Sequence, residues 1–310
     1  MCLSQPGYRN PAVRAPRFAL CCRTGSTAEV KPMTGEKQFS ASGVNLNYVE
    51  HGPPSAPPLV MLHGGAWRWQ EYLSLIPSLG RRWHTYAVDL RGNGRSGWVP
   101  GRYRLADFAD DNTEFVERLN APVVLLGHSI GGVIALMVAA RRPDTVKGLV
   151  IEDVPLTQES YRNVVDSGRA MFRLWLQLKR AAQSEQDLAL ALADAYRDCP
   201  GVTSAWILFF AGCLWQLDPG FFDNLLDDFE GFCAGYDCKQ ILSRLACPIL
   251  FLRGESRLGA VMTDDDIAWL QCHCGNAHCV SIEGVGHLLH LQDQGQTPVL
   301  TAMLAFLDRI

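Results

Sequence analysis

One serine in this chain stands where its hydroxyl could act as a nucleophile. In Gly127-His128-Ser129-Ile130-Gly131 it has a glycine two residues away on each side. The apolar run Val123 to Leu126 precedes it and reads as a buried strand, and from Val133 the residues Ile134, Ala135, Leu136, Val138 and Ala139 read as a helix. Gly-x-Ser-x-Gly between a strand and a helix makes a tight, strained turn that lifts the serine clear of the backbone. A Cβ at Gly127 or Gly131 would collide with the neighbouring strand or helix. The following helix aims its amino end at the same place, where spare N–H groups and the dipole favour developing negative charge.

A serine hydroxyl is a weak nucleophile until a base takes its proton. His287 is the candidate base. It follows a strand in Gly284-Val285-Gly286-His287, a turn able to bring an imidazole to the edge of a sheet. Histidine titrates near neutrality, as a base that later acts as an acid must. His290 is the rival, but it lacks the glycine turn and follows Leu288-Leu289. His63 and His128 are read as structural neighbours of the motifs, and His51, His84, His273 and His278 as surface or packing residues.

These residues need a scaffold, and the chain supplies alternating strand and helix text. Residues 38–50 read as an edge strand. Pro58 to Leu62, Thr85 to Val88, Gly148 to Ile151, Pro248 to Leu252 and Val280 to Ile282 are further strand candidates. Helical patterns run from Trp69 to Leu79, Leu105 to Leu119 and Pro298 to Leu307. Alternation of this kind argues for an α/β fold, a mostly parallel central sheet flanked by helices. Residues 156–240 break the alternation with helical text alone and read as an all-helical cap inserted over the carboxyl edge, where open α/β sheets place their ligands. The expected organisation is a tail over residues 1–34, a core over 35–155 and 241–310, and the cap between the two core segments.

In its motifs the chain resembles the α/β-hydrolase fold family over roughly residues 38–310. The likeness rests on His63-Gly64-Gly65, on Asp89-x-Arg91-Gly92-x-Gly94-x-Ser96, on the serine turn, on the helical cap and on Gly284-Val285-Gly286-His287, in the family's order. The resemblance implies a serine esterase or lactonase that works through an acyl-enzyme. Related dehalogenases and epoxide hydrolases carry Asp where Ser129 stands. It also implies an oxyanion hole formed by the backbone N–H groups of Gly65 and Ile130. Asp89, Arg91 and Ser96 are expected to tie a loop together rather than to act in catalysis.

The acid departs from the commonest family pattern. Most relatives carry it after the strand written here as Pro248 to Leu252, but this chain has Gly254-Glu255-Ser256-Arg257, and a cation cannot stabilise an imidazolium. Asp264, Asp265 and Asp266 behind Thr263 read as a helix start, and Glu255 lies close to the strand end. A minority of relatives place the acid one strand earlier, which selects Asp153 over Glu152. The carboxylate near Glu255 or Asp264 stays open as the alternative.

The cap is rich in large apolar residues, including Trp175, Phe209, Phe221 and Phe222. Trp67, Trp206, Phe210 and Trp215 are candidate substrate-lining residues and suit a small, largely apolar ester or lactone. The alternatives are the same triad acting on an amide, thioester or carbon–carbon bond or in acyl transfer, or a slow-turnover or non-catalytic ligand receptor on this scaffold.

The mechanism calls for no cofactor. Cys272-His273-Cys274 and His278-Cys279 lack the usual zinc spacing, so no metal site is assigned. The chain has 310 residues and a net charge of -4, with no phosphate-cradling loop, so no nucleic-acid partner is expected. The longest apolar stretch, Ala205 to Leu217, is shorter than the about 20 residues a bilayer needs, so no membrane partner is expected either. Eleven cysteines without a disulfide pattern suggest reduced thiols and a cytoplasmic setting. Residues 1–32 are rich in Arg, Pro, Ser and Gly. They read as a dispensable tail, as an upstream extension before Met33, or as an organellar transit peptide. The oligomeric state is left open.

Overall fold

The computed structural model describes residues 35–199 and 201–310. The expected tail over residues 1–34 lies outside them. The described residues begin with β1 (Lys37–Ala41) and β2 (Val44–His51), an antiparallel hairpin. This differs from the single edge strand expected over residues 38–50. Ser42-Gly43 turns the chain, and the Glu114 carboxylate accepts from both the backbone N–H and the hydroxyl of Ser42. Weak alternation cannot distinguish one long strand from two short ones folded back on each other.

The parallel part of the sheet contains β3 (Pro58–Leu62), β4 (His84–Val88), β5 (Val123–His128), β6 (Val146–Glu152), β7 (Ile249–Arg253) and β8 (Ala277–Ser281). The eight strands lie in the order β1-β2-β4-β3-β5-β6-β7-β8. Their side chains divide between two cores by strict alternation. Val60, Leu62, Leu125, Leu149, Ile151, Ile249 and Phe251 face one side. Leu59, Met61, Val124, Leu126, Val150, Leu250 and Leu252 face the other. A sheet apolar on both faces must be covered on both.

Between β3 and β4 lie a 3-10 turn, Trp69–Tyr72, and the short helix α1 (Ile76–Leu79). α2 (Leu105–Arg118) and α3 (Ile130–Arg141) flank β5 in sequence. Among the described residues six helices separate β6 from β7. These are α4 (Gln158–Ala181), α5 (Glu185–Ala195), α6 (Ser204–Trp215), α7 (Gly220–Asp227), α8 (Phe229–Phe232) and α9 (Cys238–Leu242). α10 (Asp264–His273) joins β7 to β8, and α11 (Asp293–Leu307) closes the chain. α11 begins five residues before Pro298, which it carries in its interior.

The helical insert packs through aromatic rings. Trp206 stacks on Phe210 at 4.9 Å, and Trp175 meets Phe210 edge-on at 4.7 Å. It is fastened to the loop after β4. Tyr103 donates to Asp218, whose own N–H donates to the Gly92 carbonyl at 2.7 Å. At the end nearer β7, the Tyr236 hydroxyl donates to the Pro155 carbonyl at 2.7 Å.

Among the described residues no single helix is long and apolar enough to cross a membrane. α6 and α7 pass that test together but meet at 87°. Among the described residues, Cys213, Cys233, Cys238, Cys247, Cys272, Cys274 and Cys279 are free thiols.

Candidate active site

Ser129 occupies the turn between β5 and α3 with φ 53° and ψ -125°. Its N–H donates to the Glu152 carbonyl at 2.9 Å, tying the turn to the end of β6. The flanking glycines are required sterically. A Cβ at Gly127 would lie 2.4 Å from the Gly131 carbonyl carbon, and one at Gly131 only 1.9 Å from the Leu62 carbonyl oxygen. The non-glycine residues with positive φ among those described are Ala66, Asn120, Ser129 and Asp153. Three of them lie at this site, where strain is held by the surrounding hydrogen bonds.

Three expected residues come together in a line. The Ser129 hydroxyl lies 3.0 Å from His287 Nε2, and His287 Nδ1 lies 2.7 Å from Asp153 Oδ2. A carboxylate can only accept, so Nδ1 carries the proton and Nε2 accepts from the serine. Asp153 is fully buried and also receives the N–H groups of Val261 at 2.8 Å and Met262 at 3.1 Å. In this chain, then, the loop after β7 supplies donors to the carboxylate instead of the carboxylate itself.

The other acids have separate partners. Glu255 accepts from the Gly284 N–H and pairs with Arg257. Asp266 closes a capping box with Thr263, and Asp264 pairs with Arg253. Glu152 is fully buried, and its Oε2 lies 2.8 Å from His290 Nδ1. His290 also stacks on Tyr72 at 5.3 Å. The rival histidine therefore belongs to a buried cluster and does not face Ser129.

Gly65 and Ile130 abut. A Cβ on Gly65 would lie 3.8 Å from Ile130 Cγ2 and 3.5 Å from Cζ of Phe221 on α7. Ile130 is the first residue of α3, where N–H groups have no acceptor one turn back. The loop carrying Gly65 is held by His63, whose Nδ1 donates to the Gly64 carbonyl at 2.7 Å and whose Nε2 accepts from Leu90 N–H at 3.0 Å. Burial pushes the His63 pKa down, in keeping with this neutral tautomer.

Sequence reasoning missed Glu71. This buried carboxylate receives Gly64 N–H at 2.8 Å on one oxygen and lies 2.5 Å from His128 Nδ1 with the other. His128 Nε2 lies 3.0 Å from the His287 carbonyl oxygen. Burial, the largest single influence, would raise the Glu71 pKa, but the charge and hydrogen bond of His128, with His290 and His63, together hold it below its ordinary value. Burial alone would lower the His128 pKa, yet Glu71 lifts it to about 9. The one charged residue in the helical text from Trp69 to Leu79 was the available signal.

The loop after β4 is tied as expected. Asp89 receives Trp69 N–H at 2.7 Å, Asn47 Nδ2 at 2.8 Å and Arg95 N–H at 3.0 Å. Arg91 makes a buried two-point contact with Asp111, both bonds 2.6 Å, and Ser96 Oγ donates to the Asp89 carbonyl at 2.6 Å.

Of the expected lining residues, Trp67 lies 5.6 Å from both Phe209 and Phe210, and it joins Trp206 and Phe210 in one aromatic cluster. Phe210 is 1% exposed and belongs to the packed interior of the insert. Trp215 lies apart under Lys179, whose Nζ is 4.5 Å from its ring.

An α/β fold of this order, with a serine at a strained strand-to-helix turn, defines a class. The profile of the alpha/beta hydrolase fold matches residues 57–294, and the chain belongs to that family. Among curated relatives, it is 33% identical over 106 residues to (E)-2-((N-methylformamido)methylene)succinate hydrolase of Acinetobacter baylyi, covering 34% of this chain and 40% of that protein. It is 33% identical over 99 residues to the pimeloyl-[acyl-carrier protein] methyl ester esterase of Neisseria meningitidis, covering 32% and 37% respectively. The chain spans about two-fifths of the length of such relatives. The solved structure of E-2-(acetamidomethylene)succinate hydrolase superposes with a TM-score of 0.70 at 21% identity, covering 89% of this chain and all of that one. That likeness speaks for the fold. The family defines the fold and leaves the reaction to the site.

Proposed function

We propose that the protein is a serine hydrolase that cleaves a carboxylic ester or lactone of a small, largely apolar substrate through an acyl-enzyme. The observation that carries this reading is the line from the Ser129 hydroxyl through His287 to buried Asp153. His287 Nε2 takes the serine proton as Oγ attacks the carbonyl carbon. The N–H groups of Gly65 and Ile130 receive the oxyanion, and Asp153 holds the imidazolium that forms. The proton then passes from Nε2 to the leaving alkoxide. Water, deprotonated by the same nitrogen, attacks the acyl-enzyme, and collapse returns the proton to Ser129. The mechanism requires no cofactor or metal.

Phe221 and Trp67 beside the Gly65 segment support an apolar acyl or alcohol group, with the insert forming the roof. We assign the protein to the cytoplasm on the strength of its many free thiols.

A fluorophosphonate probe tests the reading. The folded protein is expected to be labelled at Ser129, as located by mass spectrometry, and a panel of nitrophenyl esters and lactones identifies the bond cleaved. Folded protein unlabelled at Ser129 overturns the mechanism. Labelling without turnover of any ester or lactone moves the assignment to amide, thioester or carbon–carbon cleavage, or to acyl transfer.

A further inference from the structure

Beneath the triad lies a second set of titratable groups that the mechanism does not use. Glu71, His128, Glu152 and His290 are all at most 1% exposed. They come from the 3-10 turn after β3, the end of β5, the end of β6 and the turn after β8. Buried ionisable groups are costly unless paired. Their arrangement bears directly on the two loops that carry the proposed oxyanion donor and base.

The two oxygens of Glu71 divide between those loops. One receives the Gly64 N–H, next to the proposed oxyanion donor, and the other meets His128 Nδ1. The far nitrogen of that imidazole meets the backbone carbonyl of His287, the proposed base. A carbonyl can only accept, and so can an ionised carboxylate. Between two such acceptors, both ring nitrogens must donate, which requires an imidazolium. A neutral ring could satisfy only one of them.

We propose that Glu71, acting through a positively charged His128, is the positioning residue that holds the base-bearing turn and the oxyanion loop in register with Ser129. The proposal rests on the serine-hydrolase reading above. Other groups face His128 as well. His63 approaches from the loop after β3 and is neutral by its backbone partners. Glu152 adds a second negative charge from β6. The His287 and His290 rings stand 4.8 Å and 5.8 Å away. Tyr72, stacked on His290, is buried and donates to the Leu62 carbonyl. The shifts of Glu71 downward and His128 to about 9 agree with the ion pair. When pH rises through that value, the single proton left on His128 stays with the carboxylate, and the bond to the His287 carbonyl is lost.

Glu71→Gln removes the charge while keeping an acceptor for Gly64 N–H. The readout is the rate of fluorophosphonate labelling at Ser129 from pH 6 to 10, which needs no knowledge of the natural substrate. Wild type is expected to slow as pH passes about 9. The variant should label about ten- to a hundredfold more slowly at pH 7.5, the scale of a small misplacement of reacting groups, and should lose the fall near pH 9. A variant with wild-type rate and profile overturns the positioning role. If Glu71→Gln does not fold, 15N NMR of histidine-labelled wild type decides. One ring is expected to keep both nitrogens protonated until about pH 9. If all eight histidines lose a proton below about pH 7.5, one unit above the ordinary histidine value, the proposal is overturned. Wild type unlabelled at Ser129 overturns the hydrolase reading itself. Labelled wild type with an indifferent Glu71 variant overturns only the inference.

Discussion

At the scale of single residues, Asp153 carries the most specific claim. It is fully buried, accepts from His287 Nδ1, and is held by two backbone N–H groups of the loop after β7. Asp153→Asn keeps the shape but cannot hold Nδ1 as the donor. It should cut turnover by about ten-thousandfold, the size of such a change in a well-studied triad. Glu255→Gln and Asp265→Asn should leave ester turnover near wild type, because neither contacts His287. Equal effects from all three variants, measured as kcat on one reactive ester, would remove Asp153 from its role. Ser129→Ala or His287→Ala should each lower kcat by about a million-fold if the three groups act as a unit. Serine and histidine were legible because their glycine-rich turns mark them in the sequence. The acid was legible only through the family resemblance, since no turn chemistry distinguishes Asp153 from Glu152.

At the scale of elements, the site depends on loops at the ends of strands, and each loop is fastened by a buried polar group. Arg91 and Asp111 join the loop after β4 to α2 through two bonds, with a third from Arg91 to the Arg102 carbonyl at 2.8 Å. Burial pushes the Asp111 pKa up against the pull of Arg91. Arg91→Ala would therefore leave a buried carboxylate without its partner. The expected loss is about 3 to 5 kcal/mol in urea unfolding, typical of a broken buried pair. A loss below about 0.5 kcal/mol, as for an ordinary surface site, would show that the loop does not depend on the pair. Among the elements misread from the sequence, two have local reasons. The opening hairpin looked like one strand, because a two-residue turn barely interrupts alternation. α11 was expected to start at Pro298, a good first residue of a helix, yet that proline lies inside a helix capped at Gln292. Burial of Val299, Met303, Phe306 and Leu307 along that helix compensates for the missing bond.

At the scale of the whole molecule, the buried charges make stability depend on pH. The folded-state pKa of His128 is raised from 6.5 to about 9, so its contribution is fully present below about 6.5 and is lost as pH rises through about 9. Glu71 has a lowered pKa, so its contribution is present above its ordinary value of 4.5 and is lost as pH falls through the folded value. Thermal melting should therefore give a Tm that falls between pH 7 and 9.5, and Glu71→Gln should flatten that fall. A wild-type Tm flat across this interval would contradict a buried imidazolium.

By itself the sequence determined the class of the fold and the helical insert, and it marked the candidate nucleophile and base. Each of these is written locally, in apolar periodicity or in glycines where a turn leaves no room for a Cβ. Tertiary structure decided what depends on contacts between distant segments. It brought Asp153 to His287 across 134 positions and placed His128 under His287 across 159. It also brought Glu71 to both Gly64 and His128. A buried carboxylate carries no local mark of what it will face, because only the packed strand ends bring its partner within hydrogen-bond reach.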